Sequence, residues 1–118
     1  MRTPAVYDLQ TEKLAFPESR AFTLGTAGDV SAPVAEPWGN RGGVENIDRL
    51  LDGVDPHHAT VSIDGSTATV VPEHRTATIY VESSPIRDGA ATIRNGETIV
   101  LGSEKSDLWE GYRMQVFF

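Results

Sequence analysis

The chain contains no cysteine and only two lysines, Lys13 and Lys105. The absence of cysteine excludes disulfides and thiolate chemistry. A formal charge of −7 at pH 7 argues against a nucleic-acid or anionic-membrane surface, since each needs a basic patch. No apolar run has the length of a membrane span, and the N-terminal residues lack the apolar segment of a signal peptide. We therefore expect a cytoplasmic protein without membrane insertion.

Short alternating runs rich in β-branched residues dominate the 118 residues. The length favours one domain, residues 1–118, and the alternation predicts an all-β antiparallel sandwich. The predicted strands are Ala5–Leu9, Lys13–Phe16, Ala21–Leu24, Ala59–Ile63, Thr67–Val71, Thr76–Val81, Ala91–Ile93, Thr98–Leu101 and Tyr112–Phe117. Asp88-Gly89 and Asn95-Gly96 are typical hairpin turns.

A stretch rich in glycine and proline interrupts this pattern near residues 26–52. Its first half reads as a long loop. Val44, Ile47, Leu51 and Val54 then recur at helical spacing, and Gly53 is suited to end a helix. We interpret 44–54 as a short amphipathic helix, and the alternative is a short strand.

The order of several motifs resembles a forkhead-associated (FHA) domain. An apolar strand ends at Gly25, a His-Ala pair opens a strand, and an aromatic-Val strand precedes two serines. An Asx-Gly turn, an Asn-Gly turn and an Ile-x-Leu-Gly strand follow. The residues concerned are Phe22–Gly25, His58-Ala59, Ile79–Val81 with Ser83 and Ser84, Asp88-Gly89, Asn95-Gly96 and Ile99–Gly102. Between Gly25 and His58 the family connection is shorter, so residues 26–52 would include an insertion.

The resemblance implies a phosphothreonine site built from loops at one end of the sandwich. A phosphothreonine carries roughly −1.5 to −2 charges, and its pocket needs guanidinium and hydroxyl donors. Here Thr26 stands at the family's arginine position and Asp55 at its first serine. The remaining positions match Ser83 or Ser84, Asp88-Gly89 and Asn95-Gly96, while His58 matches a histidine that ties loops together.

These replacements predict that ordinary phosphothreonine reading is lost. A carboxylate about 4 Å from a phosphate oxygen costs on the order of 4 kcal/mol at an effective dielectric of 20. Other donors could rebuild a phosphate site by a different route, and the candidates are Arg41, Arg75, Arg87 and His57.

Trp38 is the candidate partner anchor, because it lies in the Gly/Pro-rich loop and tryptophan is enriched at binding hot spots. The alternative is that Trp38 folds back and caps the insertion. The histidines are expected to bind no metal, since His57 and His58 are adjacent and would point to opposite faces of a strand. No nucleophile elbow or phosphate-binding loop is present, so we predict no enzyme and no cofactor.

The sequence thus predicts a non-enzymatic protein-interaction or assembly module that is independent of phosphate. Two alternatives stay open. The chain could be a phosphothreonine-peptide reader that uses ligands other than those of the family, or a structural subunit of a viral, secretion or appendage assembly. In each case the expected partners are proteins.

Overall fold

A computed structural model describes residues 3–32, 34, 53–74, 77–82, 84–86, 89–103 and 111–118. These residues form eleven strands and no helix. The strands are β1 (Ala5–Asp8), β2 (Lys13–Ala15), β3 (Ala21–Gly25), β4 (Val30–Ser31), β5 (Ala59–Asp64), β6 (Thr67–Pro72), β7 (Ala77–Val81), β8 (Ser84–Pro85), β9 (Ala91–Arg94), β10 (Thr98–Ser103) and β11 (Tyr112–Phe117). Within this part of the chain, no helix has the length and apolarity needed to cross a membrane.

The strands form two sheets packed as a sandwich. The first sheet has the order β2-β1-β11-β10-β7-β8, and the second has the order β4-β3-β5-β6-β9. Neighbouring strands are antiparallel, with one exception: β3 and β4 run parallel, with Leu24 beside Val30. This pair departs from the purely antiparallel prediction because a tight loop returns the chain to the edge of β3.

The core lies between the sheets and follows from the alternation of each strand. In β5, Ala59, Val61 and Ile63 are buried, and in β11 Tyr112, Met114 and Val116 are buried. Such alternation places one face of a strand against the opposite sheet and leaves the other in water. Full burial of each Val, Ile or Met side chain contributes about 1.5–3 kcal/mol.

The prediction of an all-β sandwich is confirmed, and each predicted strand has a counterpart within a residue or two. In β7, Ile79 is buried and Tyr80 lies on the opposite face. The short strands β4 and β8 were not predicted. The predicted helix is tested only at its end, where Val54 is buried and is not helical. The rest of that helix and Trp38 lie outside the described residues.

The register defines two ends of the second sheet. At one end, Leu24 pairs with Ala59 and Ala59 pairs with Pro72. We call this end the loop end, and it contains Gly25, Asp55–His58 and Glu73-His74. The turn at Asp64–Thr67 and the turn after Arg94 lie at the opposite end, since Thr67 pairs with both Asp64 and Arg94.

Candidate functional site

The loop after β3 and the loop before β5 are joined by main-chain hydrogen bonds at the loop end. Thr26 N donates to Asp55 O at 3.1 Å, and Ala27 N donates to Pro56 O at 2.9 Å. Gly25 permits this approach, because a Cβ at residue 25 would stand 2.3 Å from Pro56 O and 2.6 Å from Asp55 O. The structure therefore brings Gly25, Thr26 and Asp55 together at the loop end.

His58 connects this loop pair to the other sheet. The amide of Asp55 donates to His58 Nδ1 at 3.1 Å, and His58 Nε2 lies 3.0 Å from Thr78 O in β7. A neutral imidazole with its proton on Nε2 satisfies both contacts, since the carbonyl can only accept. The side chain is fully buried. His58 therefore links the loop before β5 to strand β7 of the other sheet.

The environment of His58 favours the neutral form. Burial lowers the pKa of His58 below its ordinary 6.5, and nearby His74 acts in the same direction. The hydrogen bond to the Thr78 carbonyl and the charge of Asp55 oppose this shift in pKa and do not outweigh it. A neutral ring also leaves Nδ1 able to accept the hydrogen bond from the Asp55 amide. The lowered pKa and the hydrogen-bond geometry therefore both indicate a neutral His58.

A third loop reaches the loop end after β6. Glu73 N donates to His58 O at 2.9 Å, Ala77 N donates to His74 O at 3.2 Å, and the Thr60 hydroxyl donates to the Glu73 carboxylate. The sequence analysis did not place Glu73 and His74 at this end of the sheet. The register of the β5–β6 hairpin could have revealed it, because a hairpin returns the chain to the end from which it started.

Other predicted site positions are not brought to this cluster. Asn95 lies at the opposite end, where its Oδ1 accepts from Phe118 N at 3.0 Å. Ser84 is exposed and pairs with Val81, which in turn pairs with Ile99 near that same end. Gly89 is exposed and precedes β9, so it lies toward the loop end but on the far edge of the sheet, beyond β6. Ser83 and Asp88 fall outside the described residues.

The described residues at the surface of the loop end include few groups suited to hold a phosphate. Thr26, Pro56, His57, Glu73 and His74 are exposed, and Asp55 is half-buried. None of the arginines and lysines that the structure describes lies in these three loops. Two of them are placed elsewhere by contacts, since Arg20 donates to Gly65 O and Arg94 pairs with Thr67 at the opposite end. Among the described side chains no group of three could hold a metal ion.

A buried carboxylate that the sequence analysis missed fixes the chain just after β4. Asp8 Oδ1 accepts from the amides of Gln10 and Thr11 at 2.8 and 3.1 Å. Asp8 Oδ2 accepts from Val34 N at 2.9 Å and from the Tyr112 hydroxyl at 2.5 Å. Because Val34 follows β4, Asp8 and Tyr112 together tie the chain after β4 to the first sheet.

Solved structures of forkhead-associated domains superpose on almost the whole chain. The FHA domain of FhaA matches with a TM-score of 0.63 and 14% identity, covering 97% of this chain and 99% of that one. The yeast Dun1 FHA domain matches with a TM-score of 0.57 and 17% identity, covering 98% and 73%. The chain has the fold of an FHA domain. The human APLF FHA domain agrees, with a TM-score of 0.56, 11% identity and 99% coverage of both chains.

These FHA structures were solved with different partners. The FhaA domain is complexed with the intracellular domain of another protein, the Dun1 domain with a doubly phosphorylated peptide, and the APLF domain with a bisphospho peptide. At these identities the likeness establishes the fold alone. No family model matches the sequence, and no curated protein matches it.

Proposed function

We propose that this FHA fold is a non-enzymatic protein-interaction module that binds its partner without reading phosphate. The observation that carries the proposal is the pairing of Thr26 with Asp55. The two positions that would face a phosphate stand side by side, and they hold a neutral hydroxyl and a carboxylate. The amide of Thr26 is already used by Asp55 O, so the main chain offers no replacement donor at that point.

The expected interaction energies favour binding that does not depend on phosphate. A carboxylate about 4 Å from a phosphate oxygen opposes binding by on the order of 4 kcal/mol at an effective dielectric of 20. Micromolar affinity amounts to only about 8 kcal/mol, and each charge-assisted hydrogen bond that a missing guanidinium would make is worth about 1.5–3 kcal/mol. Repulsion by Asp55 and loss of the cation therefore remove most of the binding free energy that a phosphothreonine could contribute.

The experiment compares two degenerate peptide libraries that differ only in phosphorylation of a central threonine. The expected result is equal retention of both libraries by the immobilised chain, with the human APLF domain as a positive control for the phosphorylated library. Selective retention of the phosphorylated library would overturn the proposal. Trp38 stays our candidate anchor for the protein partner, and Trp38→Ala should then weaken binding of an identified partner by about 2 kcal/mol or more without loss of folding.

A second candidate is a phosphothreonine reader with histidine ligands. It is favoured by one observation: His57 and His74 are both exposed at the loop end. Imidazolium groups are hydrogen-bond donors suited to phosphate oxygens. Under this alternative the wild-type chain prefers the phosphorylated library, and the His57→Gln/His74→Gln variant loses that preference while keeping its fold.

A further inference from the structure

Strand β2 has a free edge within the part of the chain that the structure describes. Strand β2 is the edge of the first sheet, and among the described residues it pairs only with β1. Leu9 N donates to Arg113 O, so Tyr7 and Leu9 direct their main-chain groups toward β11. In an antiparallel sheet the direction alternates along the strand, and Val6 and Asp8 therefore bond to β2. It follows that the N–H and C=O of Leu14 point outward from the sheet. Phe16 follows the last residue of β2, and extending the strand by that one residue would give its main-chain groups the same direction.

The same two residues carry exposed apolar side chains. Leu14 is 50% exposed and Phe16 is 64% exposed. Leu14 lies opposite Tyr7 on the face turned away from the core, since the flanking Val6 and Asp8 are buried. Two large apolar side chains at positions i and i+2 therefore accompany the outward main-chain donor and acceptor of Leu14. An added strand could use both features at once.

The free edge of β3 is protected where the edge of β2 is not. Ser19 Oγ accepts from Ala21 N at 3.2 Å, and Asp29 Oδ2 accepts from Thr23 N at 3.1 Å. These side chains occupy the donors that β4, with its two residues, leaves unpaired. Soluble proteins block exposed edges by such devices because an open edge templates pairing with another chain. At Leu14 and Phe16 the described residues supply no comparable cap.

A pocket of about 380 Å³ adjoins this edge, and Phe16, Phe22, Glu18 and Asp29 are among the residues that line it. Glu18 and Asp29 are exposed, and Phe16 presents its ring beside them. Carboxylates next to an aromatic ring suit an arginine, which can pair with the acid and stack on the ring. Glu12 lies exposed before the other end of β2, so both ends of the edge are acidic.

This charge pattern favours a basic partner over a second copy of the chain. In the antiparallel pairing that sets Leu14 of one copy opposite Phe16 of the other, Glu12 and Glu18 come opposite each other at both ends. Like charges directly opposite destabilise strand pairing. The net charge of −7 on each copy adds to this repulsion. A segment with basic residues at its ends turns the same carboxylates into attractive contacts.

We infer that the β2 edge binds an extended segment of a partner protein by strand addition, and that this segment alternates apolar side chains between terminal arginines or lysines. The apolar side chains pack on Leu14 and Phe16, and an arginine enters the pocket beside Phe16. The inference rests on the proposed interaction function for the existence of a partner. It assigns the interface to a surface separate from the loop end.

The test uses the full 118-residue chain and capped ten-residue peptides whose core alternates valine and threonine. One peptide ends in arginine pairs and the other in glutamate pairs. The arginine peptide should bind at least about tenfold more tightly, since complementary charge discriminates between partners. NMR shift mapping should place it on β2, and the amides of Leu14 and Phe16 should become protected from hydrogen exchange. A peptide N-methylated on the residues that face β2 should lose binding.

Matched variants separate this site from the rest of the surface. Leu14→Thr/Phe16→Thr should weaken the arginine peptide by at least about tenfold. Val71→Thr, which alters a 40% exposed valine in the second sheet, should leave binding unchanged. Undiminished binding of the N-methylated peptide, no binding of either peptide, or a dimer of the free chain would each overturn the inference. Phosphate preference mapped to Thr26 and Asp55 would instead overturn the proposed function and leave the edge site standing.

Discussion

His58, which directly precedes β5 of the second sheet, and Thr78 in β7 of the first are joined by a 3.0 Å contact between Nε2 and the main-chain carbonyl. His58→Ala removes this contact and leaves the part-buried Asp55 amide and Thr78 carbonyl without their partner. We expect a loss of about 1–3 kcal/mol in the free energy of unfolding, measured by urea denaturation. His57→Ala, at an exposed neighbouring position, is the control and should change stability by less than about 0.5 kcal/mol. Equal effects of the two substitutions would contradict a structural role for His58.

The stability contributed by His58 should depend on pH. Burial lowers the pKa of the folded histidine below 6.5, while the unfolded chain keeps the ordinary value. As pH falls below about 6.5 the unfolded state takes up a proton that the folded state resists, so unfolding becomes easier. The contribution is complete above that pH and is lost as pH falls through the folded pKa. The gap in unfolding free energy between wild type and His58→Ala should therefore be smaller at pH 5.5 than at pH 7.5. A larger difference in unfolding free energy at pH 5.5 than at pH 7.5 would contradict this predicted pH dependence.

Gly25 should not tolerate any side chain. A Cβ there would stand 2.3 Å from Pro56 O, and main-chain atoms held by hydrogen bonds cannot move aside. We expect Gly25→Ala to cost about 2 kcal/mol or more, at the upper part of the range for overpacking. Gly65→Ala is a useful comparison, because its Cβ meets nothing within 4 Å and only its φ of +63° is unfavourable. That variant should lose about 1 kcal/mol. A smaller loss in Gly25→Ala than in Gly65→Ala would contradict the contact between the two loops.

Replacing Asp8 should reduce the stability of the fold more than removing any one of its hydrogen-bond donors. Tyr112→Phe removes one donor to a charged group and should cost about 1.5–3 kcal/mol. Asp8→Asn should cost more, because its NH₂ group must face an amide or hydroxyl donor that Asp8 now satisfies. Thermal unfolding of both variants gives the comparison. If Asp8→Asn proves milder than Tyr112→Phe, the four donors do not converge on this carboxylate as described.

Most of the strands could be predicted from the sequence because they alternate over four or more residues between turns. Val61 and Ile63 mark a core-facing side without any knowledge of their neighbours. Strand β4 escaped prediction because two residues show no period, and its pairing with β3 depends on the loop that carries Asp29. Asp8 was missed for another reason: burial of a carboxylate depends on donors as distant as Val34 and Tyr112.

The candidate site was predictable only where positions are close in the chain or fixed by a strand end. Gly25 ends β3 and His58 precedes β5, so antiparallel pairing of those strands brings Thr26 beside Asp55. Asn95 could not be placed in this way. Successive turns alternate between the two ends of a sandwich, and the unpredicted β8 changes the count. An Asn-Gly pair identifies a turn and carries no information on the end at which it lies.

Restoring a cation and a hydroxyl at the paired loops should create a phosphate preference. In Thr26→Arg/Asp55→Ser the arginine replaces an exposed side chain, and the main-chain contact from residue 26 to residue 55 does not depend on either side chain. Each charge-assisted hydrogen bond gained is worth about 1.5–3 kcal/mol, so the variant should retain the phosphorylated library over the unphosphorylated one where wild type does not. The preference should weaken as salt rises, since exposed charges are screened.

Thr26→Gln/Asp55→Ser is the control for this prediction, because it provides hydrogen bonds of similar reach without the charge. It should show a weaker preference than the arginine variant, or none. If both variants select the phosphorylated library equally, the missing charge is not what prevents phosphate binding. If neither does, while shift mapping shows residues 26 and 55 still in contact, the loop end lacks a further ligand that a phosphothreonine site requires. Either result would shift the explanation from Thr26 and Asp55 to the third loop, where Glu73 presents a second carboxylate beside His74.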